Sequence, residues 1–239
     1  MTTGRLSQAG AAFSAAHEAL YLFAYADPGT GREPWTIGIG HTRAAGLPDV
    51  RRGDRVNIPG AFQIYSNDMQ PVQASVRLAF KAEINQAQFD AACSFQLNTG
   101  AIRAGSIDDK FNRGDIAGAL ATWSQYNRAG GRVMQGLINR RADELALWRT
   151  GRYPPSKILV HDTATGSGRY IAASAVPWGD SMPATPPPVI TADRPLPPVV
   201  RSPVPAGEPV RAVVVGAASV DPVVPWWRRA LKLIGVSYA

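Results

Sequence analysis

Cysteine is nearly absent from this 239-residue chain. Cys93 has no partner for an internal disulfide, and its apolar setting, "FDAACSFQL", predicts a small buried hydrophobe in a reduced protein. The same setting offers nothing to activate a nucleophilic Cys93/His41 pair. Histidine is almost as scarce: His17, His41 and His161 show no metal-ligand spacing, so neither a zinc site nor any other cofactor is expected. No phosphate-binding GxxxxGK[ST] loop and no nucleic-acid motif is present. No run reaches the roughly 20 apolar residues a membrane span needs. The N-terminus lacks the charged start and apolar core of a signal peptide, which leads to the expectation of a product made in the cytoplasm. Acidic residues number 18 against 25 Lys and Arg, a net charge of +7. Such a balance favours polyanionic partners, whether nucleic acid, anionic membrane or envelope polymer, without choosing among them.

Proline is sparse up to residue 153 and dense after it, with thirteen of the twenty prolines between Pro177 and Pro225. That density disfavours helices and central strands and favours extended segments. The expected organisation is a folded body over 1–153, a connecting segment over 154–182 that could pack on it as a short hairpin, a linker over 183–224 and a tail over 225–239. Within the body, "LSQAGAAFSAAHEALYLFAY" reads as one helix, with Phe13, His17, Leu20 and Tyr21 at helical spacing. "ADPGTGREP" is turn chemistry and "WTIGIGHT" is strand-like. Next, "IPGAFQIYSNDMQPVQASVRLAF" is helical with an interruption expected at Pro71. "NQAQFDAACSFQLNTGAI" predicts an apolar helix ending at the Asn98/Gly100 pair, and two more helices follow, one from about Asp115 and one ending at Gly151. The fold class is α+β, mostly helical, with a small sheet near the N-terminus and then a proline-rich extension.

Two carboxylates stand nine residues apart in "HEALYLFAYADPGTGREPWTIGIGHT". Glu18 lies among Ala16, Ala19, Leu20, Tyr21 and Phe23, surroundings that desolvate a carboxyl, whereas Asp27 sits in a Gly/Pro-rich turn where it stays solvated. Two carboxylates in contrasting environments suit glycosidic cleavage, which needs a proton donor and a second group that steers water or attacks. A Glu on a helix and an Asp at a turn are equally ordinary surface residues, so the pair alone does not decide.

The order of motifs decides more. Glu18, Asp27 and then Thr-Ile-Gly-Ile-Gly-His-Thr resemble the active-site signature of the bacteriophage lysozyme or endolysin family, glycoside hydrolase family 24. "NQAQFDAACSFQLNTGA" is similar to that family's central helix, and "ALATWSQYNRAGGRVMQGLINRRADELALWRTG" to its closing block; the three together frame residues 12–153. The resemblance implies a lysozyme-like fold, with Glu18 as general acid, Asp27 orienting the attacking water in an inverting course, and Thr36 beside that water. It also implies close packing of the small sheet at Gly38 and Gly40, a structural His41, Arg140 paired with the glutamate (Arg141 being the adjacent alternative), and Gln96 and Asn98 lining the saccharide cleft. Read without it, Arg140 and Arg141 are helix-face partners of Glu144, Gln96 and Asn98 are polar caps, and Trp123, Tyr126 and Trp148 are core. One departure stands out: "GTGREPW" is about three residues longer than in the simplest members.

The implied function is peptidoglycan hydrolysis at the β-1,4 bond between N-acetylmuramic acid and N-acetylglucosamine, for host lysis. The alternatives are a lytic transglycosylase and an inactive peptidoglycan-binding virion protein. The expected partner is peptidoglycan rather than nucleic acid, the expected state a monomer, and the expected place of action the periplasm, after release through a holin pore. In the tail "VVPWWRRALKLIGVSYA", Trp226, Trp227, Arg228, Arg229 and Lys232 form a short basic amphipathic pattern suited to an anionic membrane surface or, equally, to docking on protein.

Overall fold

The computed structural model describes residues 4–27, 31–163, 168–179 and 190–191. The proline-rich stretch beyond residue 191 and the tail with Trp226, Trp227, Arg228, Arg229 and Lys232 lie outside them.

Ser7 opens helix α1 (Gln8–Ala16), its hydroxyl accepting from the backbone N–H of Gly10 at 2.9 Å, an N-cap that satisfies one of the helix's free donors. The expected single helix through Tyr25 is not formed. α1 stops at Ala16, and Ala19–Asp27 is strand β1. The reason is visible in the alternation: Leu20 and Leu22 are buried while Tyr21, Phe23 and Tyr25 are only partly so. That is a period of two built from aromatic and branched residues, which suits a strand. Phe13 and His17, at helical spacing, do meet edge to face at 5.1 Å.

β1 pairs antiparallel with β2 (Arg32–Gly38), which pairs with the short β3 (His41–Thr42). On its other side β1 meets β4 (Asp54–Arg55) through Phe23 and Arg55. Gly38 ends β2 at φ +64°, with Ala61 3.7 Å from where a Cβ would stand. Its backbone angle, more than the closeness of its neighbour, calls for glycine.

Helix α2 (Ile58–Ala79) runs unbroken through Pro71, contrary to the expected interruption. Pro71 and Asn67, one turn earlier, are both exposed. The carbonyl that proline leaves without a donor therefore faces solvent, where water can serve it. Helix α3 (Gln86–Thr99) is the central one. An Asn85/Gln88 capping box opens it and Gly100, in the left-handed conformation, closes it. It packs against both α1 and α2 and buries Phe89, Ala91, Ala92, Cys93 and Phe95; burial pushes the Cys93 thiol well up. α4 (Ile107–Asn112) and α5 (Ile116–Ser124) pack on each other, and a two-stranded ribbon, β5 (Arg128–Ala129) with β6 (Arg132–Val133), leads into α6 (Gln135–Thr150). Trp123, Trp148, Phe95, Phe80 and Phe111 form one aromatic cluster beneath these helices.

The chain then returns to the sheet. β7 (Lys157–His161) runs parallel to β1 over Ala19–Tyr21 and forms an antiparallel hairpin with β8 (Arg169–Ala172). Ile158, Val160 and Val176 are buried, His161 stacks on Tyr21 at 4.6 Å, and Trp178 donates from its indole to the Leu6 carbonyl at 3.0 Å. A last pair, β9 (Ile190–Thr191), adds to β4. Among the described residues no helix is long and apolar enough to cross a membrane.

Candidate active site

The junction between α1 and β1 places Glu18 in the interior, 8% exposed. Its backbone N–H still bonds back to Ala15 at 3.1 Å, so the residue sits where the helix hands over to the strand. Burial was expected from its apolar neighbours. Its chemistry comes instead from α6, which turns Arg140, Arg141 and Glu144 inward, all three buried.

Arg140 donates from Nη1 to Glu18 Oε1 at 2.6 Å, from Nε to Glu144 Oε1 at 3.2 Å and from Nη2 to the Ser94 carbonyl at 3.1 Å. Burial opposes its charge, but Glu18 and Glu144 outweigh that and raise its pKa. Arg141 donates to Glu144 Oε1 at 2.8 Å and lies over the Phe95 ring at 4.9 Å; burial pushes its pKa down despite that carboxylate. Arg140 therefore holds Glu18, while Arg141 belongs to Glu144. Glu144 is wholly buried and also accepts from Ser94 Oγ at 2.8 Å and from Trp123 Nε1 at 2.9 Å. Two neighbours complete the surroundings. His17 is driven down to about 4 by burial and then by the nearby Arg140, so its 3.8 Å approach to Asp143 is not an ion pair near neutrality. Tyr65, fully buried on α2, has its phenol pushed up by burial and further by the charge of Glu18.

Asp27 closes β1, opposite Arg32 in the ladder. Thr36 lies on β2, buried, opposite Tyr25 on one side and Thr42 on the other. The long turn leaves its mark between them. Ala26 pairs with Trp35 but the next residue pairs with Arg32, so Glu33 and Pro34 are extra residues on the β2 side. Such a bulge absorbs added length without shifting Thr36 out of register with Tyr25.

His41 is clamped: Nδ1 lies 3.0 Å from both oxygens of Asp68 on α2, and Nε2 3.0 Å from the Pro48 carbonyl. Gln96 accepts from the Ile102 N–H at 2.9 Å and so braces the loop after α3, and Asn98 is buried at that helix's end. Among the described residues no three His, Cys, Asp or Glu gather as a metal site.

Sequence reasoning gives Glu144 a place in the closing block and, read without the resemblance, a helix-face pairing with the arginines, but assigns it no role in the site, and it does not single out Ser94. The available signal was Ser94 itself, a hydroxyl in an otherwise apolar helix, together with an Arg-Arg-x-x-Glu spacing flanked by Leu145, Leu147 and Trp148.

The family model described as Phage lysozyme matches residues 15–144. The endolysin of Bacillus phage PZA is 37% identical over 180 residues, 74% of this chain and 66% of that protein. The chain thus spans just under two thirds of that relative's length. The endolysin of Acyrthosiphon pisum secondary endosymbiont phage 1 is 32% identical over 61% of this chain and 98% of its own. Among solved structures, an endolysin from Escherichia coli O157:H7 phage FAHEc1 superposes with a TM-score of 0.55 at 26% identity, covering 63% of this chain and 96% of that one. The six helices and small mixed sheet among the described residues thus form a lysozyme-like fold, and the chain belongs to the phage lysozyme family.

Proposed function

We propose that this protein is a muramidase that hydrolyses the β-1,4 bond between N-acetylmuramic acid and N-acetylglucosamine in peptidoglycan, as an endolysin. The observation that carries the reading is Glu18, buried and oriented by Arg140 at 2.6 Å, at the head of the strand that Asp27 closes. Glu18 gives its proton to the glycosidic oxygen as the C–O bond breaks, Asp27 takes a proton from the attacking water, and Thr36 steadies that water. Arg140 fixes the direction of the Glu18 carboxyl. Gln96 and Asn98 support the cleft from the end of α3, and His41 supports the sheet on which Thr36 stands. The reaction uses no metal or cofactor.

The packing of β7, β8 and Val176 on the sheet supports counting the connecting segment with the lysozyme body as one unit, ahead of the proline-rich linker over 183–224. The tail over 225–239 is proposed to touch anionic envelope surface through Trp226, Trp227, Arg228, Arg229 and Lys232. The protein acts as a monomer on the periplasmic cell wall, reached through a holin pore.

Mass spectrometry of muropeptides released from purified cell walls tests the activity. Reducing muramic acid ends are expected, and Glu18→Gln should lower the rate by about 10²- to 10⁴-fold, the usual worth of a general acid. Anhydromuramyl ends would identify a lytic transglycosylase. Wall binding without release, unchanged by Glu18→Gln, would identify an inactive binding protein.

A further inference from the structure

We propose that Glu144 is a positioning residue of this reaction, holding Arg140 against Glu18 and keeping that guanidinium partnered whenever Glu18 carries its proton. The proposal rests on the reading of Glu18 as the proton donor.

Four donors converge on Glu144 from three helices: Ser94 Oγ on α3, Trp123 Nε1 on α5, and Arg140 Nε and Arg141 Nη2 on its own α6. All are donors, so only a side chain offering acceptor oxygens satisfies them. Their spread over α3, α5 and α6 fixes the carboxylate in three directions. Arg140 spans the gap between this fixed anion and Glu18, with its Nη2 tied to the Ser94 carbonyl. It therefore has little freedom to swing.

The charge balance makes the arrangement more than a brace. With Glu18 ionised, two carboxylates face two guanidinia and the buried cluster is neutral. When Glu18 takes up a proton, the cluster carries one positive charge and Arg140 still has Glu144. Were Glu144 uncharged, the same step would leave two guanidinia in the interior without a carboxylate, which is strongly disfavoured. The adjacent His17, held neutral, adds no third cation. Beside a neutral residue in its place, Glu144 offsets part of the pull that the two guanidinia exert toward ionised Glu18, so removing its charge disfavours the protonated, donating form.

The test is the pH dependence of kcat and KM on peptidoglycan for the full chain and for Glu144→Gln, Ser94→Ala and Leu145→Ala. Glu144→Gln should lower kcat at pH 7 by about tenfold or more, leave KM within about twofold, and move the alkaline limb of the rate profile toward acid by about one pH unit. Ser94→Ala keeps the charge but loosens its seat, so kcat should fall by about threefold or more with the limb in place. Leu145→Ala removes buried packing from the same helix and should lower Tm while leaving the limb and KM unmoved. A Glu144→Gln enzyme with the wild-type limb and kcat overturns the proposal, whatever its Tm. If that variant does not fold, Ser94→Ala decides, and an unchanged kcat overturns it. Glu18→Gln is run alongside: if it keeps full activity, the reading of Glu18 has failed, separately from the role of Glu144.

Discussion

His41 and Asp68 are locked together across 27 residues of sequence, with Nδ1 3.0 Å from each carboxylate oxygen. The other ring nitrogen faces the Pro48 carbonyl, so both nitrogens meet acceptors, an arrangement that favours the protonated ring. Burial is the largest influence on His41 and lowers its pKa, but the hydrogen bond to Asp68, the charge of that carboxylate and the Pro48 carbonyl together outweigh it, and the net direction is up. Burial pushes Asp68 up as well, against the pull of the ring. The two-acceptor clamp favours the proton on the histidine. A histidine raised on folding contributes stability that is fully present below pH 6.5 and is lost as pH rises through its folded value. Denaturant titrations between pH 6 and 9 should show that loss in the wild type and not in His41→Gln. Breaking the pair at pH 6 should cost about 3 kcal/mol, in the range for a buried ion pair deprived of one partner.

His17 titrates with the opposite sign. Its folded value of about 4 lies below the ordinary 6.5, so its contribution is present above pH 6.5 and is lost as pH falls toward 4. That depression is worth at most about 3 kcal/mol. Comparing ΔG of unfolding at pH 7 and pH 4.5, His17→Gln should lose less on acidification than the wild type. Equal losses would remove His17 from the account.

Gly10 has no room for a side chain. A Cβ there would stand 2.3 Å from Asp90 Cγ, and Asp90 cannot retreat, since Ser7, Gln86 and Tyr153 all hold its oxygens. Gly10→Ala should therefore force α1 off α3 and destabilise by roughly 1–3 kcal/mol, the usual penalty of overpacking. On an exposed helix face the same change would stabilise, so the sign of the Tm shift checks the contact.

Ile158 and Val160 are fully buried on β7. Ile158→Ala should cost about 2–5 kcal/mol, as for core truncations generally, in one unfolding transition shared with the lysozyme body. A separate, earlier transition would show that the hairpin is only loosely attached.

The ends of α3 and α6 are legible because a glycine in the left-handed conformation closes each, Gly100 and Gly151, and α3 also carries the Asn85/Gln88 capping box at its start. β1 was misread because Phe13, His17, Leu20 and Tyr21 satisfy a helical spacing by coincidence, while the alternation of Leu20 and Leu22 with three aromatics is just as regular and wins once the sheet can form. Pro71 misleads for a different reason: its i−4 residue, Asn67, is exposed, so water can serve the carbonyl the proline leaves without a donor. Glu18, Thr36 and Arg140 could be singled out by motif order. The Ser94–Glu144–Trp123 seat could not, because it joins three helices whose mutual placement no local pattern encodes.

The pairing of β7 with Ala19–Tyr21 has a consequence for solubility as well as stability. β1 has β2 along one side, and β7 and β4 share the other end to end. A shortened protein ending near residue 154 would uncover a row of unpaired backbone donors and acceptors beside Glu18. Exposed rows of that kind recruit strands from other molecules. The returning hairpin thus covers that edge, and trimming this protein to residues 1–153 should give a shorter chain more prone to self-association.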